Sequence, residues 1–301
     1  MPRRVMIAAG LLAVAVAMSG CAGMAAPLPT PTPVATPVGD KTLNIVNLLE
    51  TSGALATFAP AQEAGTELAA REVNDADGVG GNPVIIWHRT DALPGTLTEA
   101  AGAVKADAAI VAANPTAATS LLEVAATAKI ALLAIGTEKN IAEPTVTPFP
   151  DATAPASSTA KPTGKTTSSP ATGASATGAS TPKPSGSAAA SSAARKAGAP
   201  AVPTTEFVAR LTTSNPFLTE FTYGAESYQL VIALALAAAV ANDDAGPSLI
   251  RGLEQVTTGD VVCTDYASCL TVLADNRAIK YIGPAGRMAY DARVGVVTFR
   301  P

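Results

Sequence analysis

The sequence predicts an α/β fold: one lobe built on a parallel sheet covered by helices, interrupted by a long disordered insertion. Three observations carry this. Short apolar runs alternate with stretches of helical periodicity over residues 41–143. A second foldable block, residues 205–301, contains an almost wholly apolar helix that needs burial. Between the blocks, residues 144–204 are dominated by Ala, Ser, Thr, Pro and Gly, with Phe149 as their one aromatic before the second block begins.

The chain starts with a short positive region, Arg3 and Arg4, followed by an apolar stretch from Val5 to Met18. That stretch is shorter than the roughly 20 residues a membrane span needs. Small residues follow, Met18-Ser19-Gly20-Cys21. A positive start, a short apolar run and small residues make a secretory signal. The last four residues resemble the lipobox of bacterial lipoproteins, in which cleavage precedes the cysteine and its thiol is diacylated. Residues 1–20 therefore read as a lipoprotein signal peptide and Cys21 as the lipidation site. Two acyl chains hold a protein stably where one does so marginally. The expected location is extracytoplasmic, anchored to the cell membrane by lipid. Residues 21–40 are rich in Pro and Thr and read as an extended tether.

Leu43-Asn-Ile-Val-Asn-Leu-Leu49 is the first strand, broken by Thr51-Ser52-Gly53. A helix follows from about Pro60, with Ala61, Gly65, Leu68, Ala69 and Val73 on one face. Asp77 to Pro83 is a turn cluster, and Val84-Ile-Ile-Trp87 a short buried strand. Leu97, Ala100, Ala101 and Val104 mark a second helix, and Ala109-Ile-Val-Ala112 a third strand. Asn114-Pro115-Thr116 is a helix start, with Leu121, Val124 and Ala125 carrying the helix. Ile130 to Ile135 is a fourth strand. Strands this apolar, separated by helices, require cover on both faces of the sheet.

Residues 144–204 carry no apolar periodicity and cannot bury enough surface to offset the entropy of ordering them. A long loop is tolerable, because each doubling of its length costs only about 0.6 kcal/mol of closure entropy. In the second block, Leu230 to Val240 is apolar on nearly all sides and reads as a buried helix too short to cross a bilayer. Besides Cys21 the chain has two cysteines, Cys263 and Cys269. In the oxidising compartment an export signal implies, they suit a small disulfide loop. The alternative is a metal site, which needs further ligands. The only histidine, His88, is far away in sequence.

Leu43 to Thr137 resembles the leucine/isoleucine/valine-binding family of type I periplasmic solute-binding proteins. The residues that carry the likeness are Leu48-Leu-Glu-Thr-Ser-Gly-Ala-Leu-Ala56, Ala64-Gly-Thr-Glu-Leu-Ala69 and Val73 through Val84. In the second block, Tyr223-Gly-Ala-Glu-Ser-Tyr228, the Cys263–Cys269 loop and Ile279 through Gly286 look like the closing section of actinobacterial lipoprotein members, and Tyr290-Asp291 and Gly295 fit its last turn. The resemblance implies a Rossmann-like first lobe assembled from 41–143 and 205–301, with the second lobe largely missing and 144–204 in its place. It also implies a receptor that delivers an amino acid of branched-chain type to an ABC permease.

By position, the resemblance puts Thr116 and Thr137 at hydroxyl-bearing turns after the third and fourth strands. Phe58 and Tyr223 match aromatic walls over the ligand, and Ser52 and Gly53 lie at the rim. Helix N-termini there suit a ligand carboxylate. Each residue also has a plainer role: Thr116 as a helix cap, Phe58 as a staple or core residue. The acidic partner of a ligand ammonium belongs to the missing middle, and one lobe leaves a solute half exposed. The alternative function is therefore an envelope or surface-interaction lipoprotein that keeps only the first lobe. No catalytic residues are assigned, because His88 has no triad or metal cluster around it in sequence. No metal and no cofactor are expected. A formal net charge of −4 without a basic patch gives no sign of nucleic-acid binding.

Overall fold

The computed structural model describes residues 38–111, 115–135 and 199–300, with residues 115–118 described by backbone alone. Cys21, the signal and most of the tether, Thr137 and the bulk of the Ala/Ser/Thr/Pro-rich segment lie outside the described residues.

Eight strands form one sheet in the order β2-β1-β3-β4-β8-β7-β6-β5. The first block supplies β1 (Asn44–Leu49), β2 (Ile85–Thr90), β3 (Ala108–Val111) and β4 (Ala131–Ile135). Its helices are α1 (Ala59–Asp75), α2 (Pro94–Val104) and α3 (Pro115–Ala128), with a 3₁₀ turn, Gly53–Phe58, leading into α1. The second block supplies β5 (Val261–Cys263), β6 (Ile279–Gly283), β7 (Gly286–Asp291) and β8 (Val296–Arg300). It also supplies α4 (Thr205–Ser214), α5 (Gly224–Ala241), α6 (Gly246–Thr258) and α7 (Tyr266–Ala274). The blocks join where β8 pairs in parallel with β4, Ala134 to Val296 and Ile135 to Val297.

Alternation along the strands explains the two-sided cover. Ile45, Ile110 and Leu133 enter the core beneath α1 and α5, whereas Val46, Ala109 and Leu132 enter the core on the opposite face, under α2 and α3. All six residues of β1 are buried, as a central strand requires. The expected strand at Val84–Trp87 lies instead at Ile85–Thr90. It is half-buried rather than buried, because β2 is the sheet's outer strand and pairs only with β1.

The sheet is mixed rather than wholly parallel. β7 runs antiparallel to both β6 and β8. The cause is local: a two-residue connection, Pro284-Ala285, and the Ala292–Gly295 turn are too short for a parallel crossover. Gly286 and Gly295 take the positive φ values these turns need, 96° and 63°.

Helix α5 is the centre of the lobe. Every residue from Gly224 to Ala238 is buried. At 18 residues it is longer than the apolar run alone suggests, and by composition it could cross a membrane. Its place inside the fold identifies it as a core helix instead. Glycines let α1 approach it closely: a Cβ on Gly65 would stand 2.2 Å from the Gly224 carbonyl oxygen. Polar pins surround this core. The Tyr228 hydroxyl donates to Glu72 Oε2 at 2.5 Å. The Arg210 guanidinium pairs with Glu72 while lying over the Phe207 and Tyr228 rings. Residues 199–204, part of the stretch that composition marks as disordered, lie against α5, where the Ala201 N–H donates to Glu226.

Cys263 and Cys269 form a disulfide that ties the end of β5 to α7, with both residues buried.

Candidate functional site

Topology singles out one end of the sheet. β1 is flanked by β2 on one side and β3 on the other, so the connections from β1 and β2 leave in opposite directions. In open α/β sheets, ligands bind beyond the carboxyl ends of strands at such a reversal. Of the six expected ligand-binding residues, Ser52, Gly53, Phe58 and Tyr223 are described in full.

Ser52 and Gly53 follow β1 on the exposed rim. Gly53 takes φ 70° with open space where a side chain would stand. The 3₁₀ turn then carries Phe58 to the start of α1. There its ring meets that of Tyr223 edge to face, with centroids 5.4 Å apart and planes at 82°. Such pairs contribute about 0.5–1.5 kcal/mol beyond their buried area. Tyr223 itself precedes α5 in a left-handed conformation, φ 66°. Burial, helped by the charge of Glu226, pushes its phenol above the ordinary range, so it stays neutral at physiological pH. Thr116 lies in the first turn of α3, beyond the end of β3, and Thr137 lies outside the described residues.

Three buried polar residues here were not anticipated from the sequence. Gln62, near the start of α1, is 1% exposed, and its Oε1 has no hydrogen-bond partner. Ser227, in the first turn of α5, is likewise buried with an unpartnered Oγ. Glu226 stands beside it, where the positive end of the helix dipole favours a carboxylate. The one available signal was polarity at positions whose neighbours are core residues. Near a helix start that pattern is indistinguishable from ordinary solvent exposure.

His88 lies within β2. Its Nε2 sits 2.8 Å from Glu67 and its Nδ1 3.3 Å from Asn47. It therefore ties β2 to β1 and α1, a structural duty. Two concavities, of about 390 and 600 Å³, lie at the opposite, amino end of the sheet. The smaller is lined by Gly39, Asn82, Asp243 and Asp244.

No family model matches the chain, and no curated protein does. Among solved structures it is similar to a branched-chain amino acid transporter substrate-binding protein from Streptococcus pneumoniae in complex with isoleucine, at 23% identity and a TM-score of 0.30, covering 33% of this chain and 31% of that one. A possible leucine/isoleucine/valine-binding protein from Rhodopirellula baltica gives 18% identity and 0.28, over 33% and 28%. A solute-binding protein of an ABC transporter from Rhodopseudomonas palustris, in complex with 3,4-dihydroxybenzoic acid, gives 17% and 0.28, over 34% and 29%. In each case the matched part is about a third of either chain, a local likeness that settles neither ligand nor partner.

Proposed function

We propose that the chain is an extracytoplasmic solute-binding lipoprotein, anchored through Cys21 and resembling amino-acid receptors of ABC importers, that works with one lobe of the fold. The observation that carries this reading is the Phe58–Tyr223 pair at the carboxyl end of β1, beside the sheet's topological reversal. The pair offers an apolar wall. The neutral Tyr223 hydroxyl and the Ser52 hydroxyl supply polar contacts, and the N-terminus of α3 suits a carboxylate. Amino acids and small aromatic acids both fit that chemistry. A solute held by one lobe keeps much of its surface in water, so the expected affinity is weak, about 1 mM or a free energy near −4 kcal/mol.

A second reading, an envelope or surface-interaction lipoprotein, is favoured by one feature. Phe217 is 91% exposed on the loop that leads to Tyr223.

Calorimetric titration of the lipid-free protein with a panel of amino acids and hydroxybenzoates separates the two. The receptor reading expects saturable heat for at least one compound, lost in Tyr223→Ala. Silence across the panel at millimolar concentration refutes it and leaves the interaction reading.

A further inference from the structure

At the amino end of the sheet, four carboxylates surround the chain as it enters β1. Asp243 Oδ1 accepts the N–H groups of Val38 and Gly39 at 3.2 and 2.8 Å. Asp244 accepts the Lys41 N–H. Asp107 Oδ2 accepts the Asn44 N–H at 2.9 Å. The entering segment contributes a carboxylate of its own, Asp40, which bonds the Thr42 N–H and pairs with Lys105 at 3.4 Å. The seating is close: a Cβ on Gly39 would stand 1.5 Å from Asp244 Oδ1. Asp244 is 5% exposed, and its Oδ2 has no hydrogen-bond donor.

We infer that Asp40, Asp107, Asp243 and Asp244 form a proton-operated clasp on residues 38–44, shut when Asp107 carries a proton and loosened when it releases it. Three of the carboxylates belong to the body of the lobe and one to the segment it grips. With all four ionised, the body repels Asp40 while its backbone contacts hold the neighbouring residues. A proton on Asp107 removes one charge and provides a hydroxyl in a cluster where one oxygen, Asp244 Oδ2, has no donor.

The other charged groups around Asp107 are few. Lys41 stands on the entering segment, Lys105 at the end of α2, and Lys129 in the turn before β4. Arg251 lies on α6 and bonds Ser248, which donates to Asp243. Only Lys105 forms an ion pair with the cluster among the described residues. Among the described residues no group of three His, Cys, Asp or Glu side chains is spaced to hold a metal ion.

The direction of the response follows from Asp107. Burial, reinforced by the charges of Asp244, Asp40 and Asp243, lifts its carboxyl from the ordinary 3.8 to about 7 against the opposing Asn44 hydrogen bond. An acid whose pKa is raised by folding favours the protonated folded form. Its stabilising effect is complete below the unfolded value and is lost as pH rises through the folded value. The clasp therefore holds under mildly acidic conditions and slackens above neutrality.

The test is amide hydrogen exchange on the full chain at pH 5 and pH 8. Exchange is expressed as protection factors, so that the intrinsic pH dependence is removed. Val38, Gly39 and Lys41 should lose protection on the order of tenfold at the higher pH, the size of one pKa unit. Ile45 to Leu48 in β1 should be unchanged. Asp107→Asn keeps the acceptor for Asn44 without the charge and should stay protected at both pH values. Asp40→Asn removes the repulsion from the other side and should flatten the response as well. Equal protection of 38–41 in the unaltered chain at both pH values overturns the inference. So does an Asp107→Asn or Asp40→Asn chain that retains the full pH dependence.

Discussion

Replacing Gly65 with Ala tests the central packing of the lobe. In α1 this residue faces the start of α5, and an added methyl would lie 2.2 Å from the Gly224 carbonyl oxygen and 3.2 Å from the Tyr228 nitrogen. The first distance is about 1.2 Å short of ordinary van der Waals contact at 3.4 Å. Both neighbours are main-chain atoms in an 18-residue buried helix, so no side chain can swing aside. The helices must part. Overpacking a core costs about 1–3 kcal/mol, and the rigid partner argues for the upper end. Alanine recovers roughly 1 kcal/mol of helix propensity over glycine. The net loss is then about 2 kcal/mol. Gly102 in α2 is the matched control: a Cβ there meets nothing within 4 Å. Gly102→Ala should gain about 0.5–1 kcal/mol. Urea denaturation followed by circular dichroism measures both. Gly65→Ala should lower the midpoint at unchanged slope and Gly102→Ala raise it. Stabilisation by both substitutions would show that α1 and α5 do not approach as described.

Two further outcomes are expected. Changing Cys263 and Cys269 together to Ala should cost about 2 kcal/mol by the loop-entropy relation for so short a loop, and thiol titration of the denatured, unreduced parent should find neither group free. Under the proposed anchoring, Cys21→Ala should release the protein from the membrane fraction or block its processing, because it removes the residue that would carry the acyl chains. Full cleavage with unchanged membrane retention contradicts the anchor.

The first half of the fold was readable because β1, β3 and β4 are central strands, buried on both faces, and so appear as unbroken apolar runs. β2 departs from that pattern in its second half: His88 and Arg89 are tolerated because one edge of the strand has no neighbour. The second half was largely hidden. β5 has three residues, and β6 and β7 mix Lys280, Arg287 and Asp291 with apolar residues across short hairpins, so no window shows a clear period. At the candidate site, the pairing of Phe58 with Tyr223 spans most of the chain and is invisible to local periodicity; both positions came from family resemblance. Gln62, Glu226 and Ser227 looked like ordinary polar residues near helix starts. The amino-end carboxylates were beyond reach for a similar reason: only the parallel register of β1 and β3 brings Asp40 near Asp107, and only the return of α5 adds Asp243 and Asp244.

The pairing of β8 with β4 also governs how the chain must be made. β4 ends at Ile135, yet its outer partner is β8, Val296–Arg300, which is made much later in the chain. Until β8 has been made, β4 therefore presents a bare apolar margin to its surroundings. Unpaired strands of this kind recruit other chains. Productive folding must wait for β8 to be made. A chain cut short before Val296 would be left in a sticky, half-closed form, so truncations that remove Val296–Arg300 should aggregate most readily.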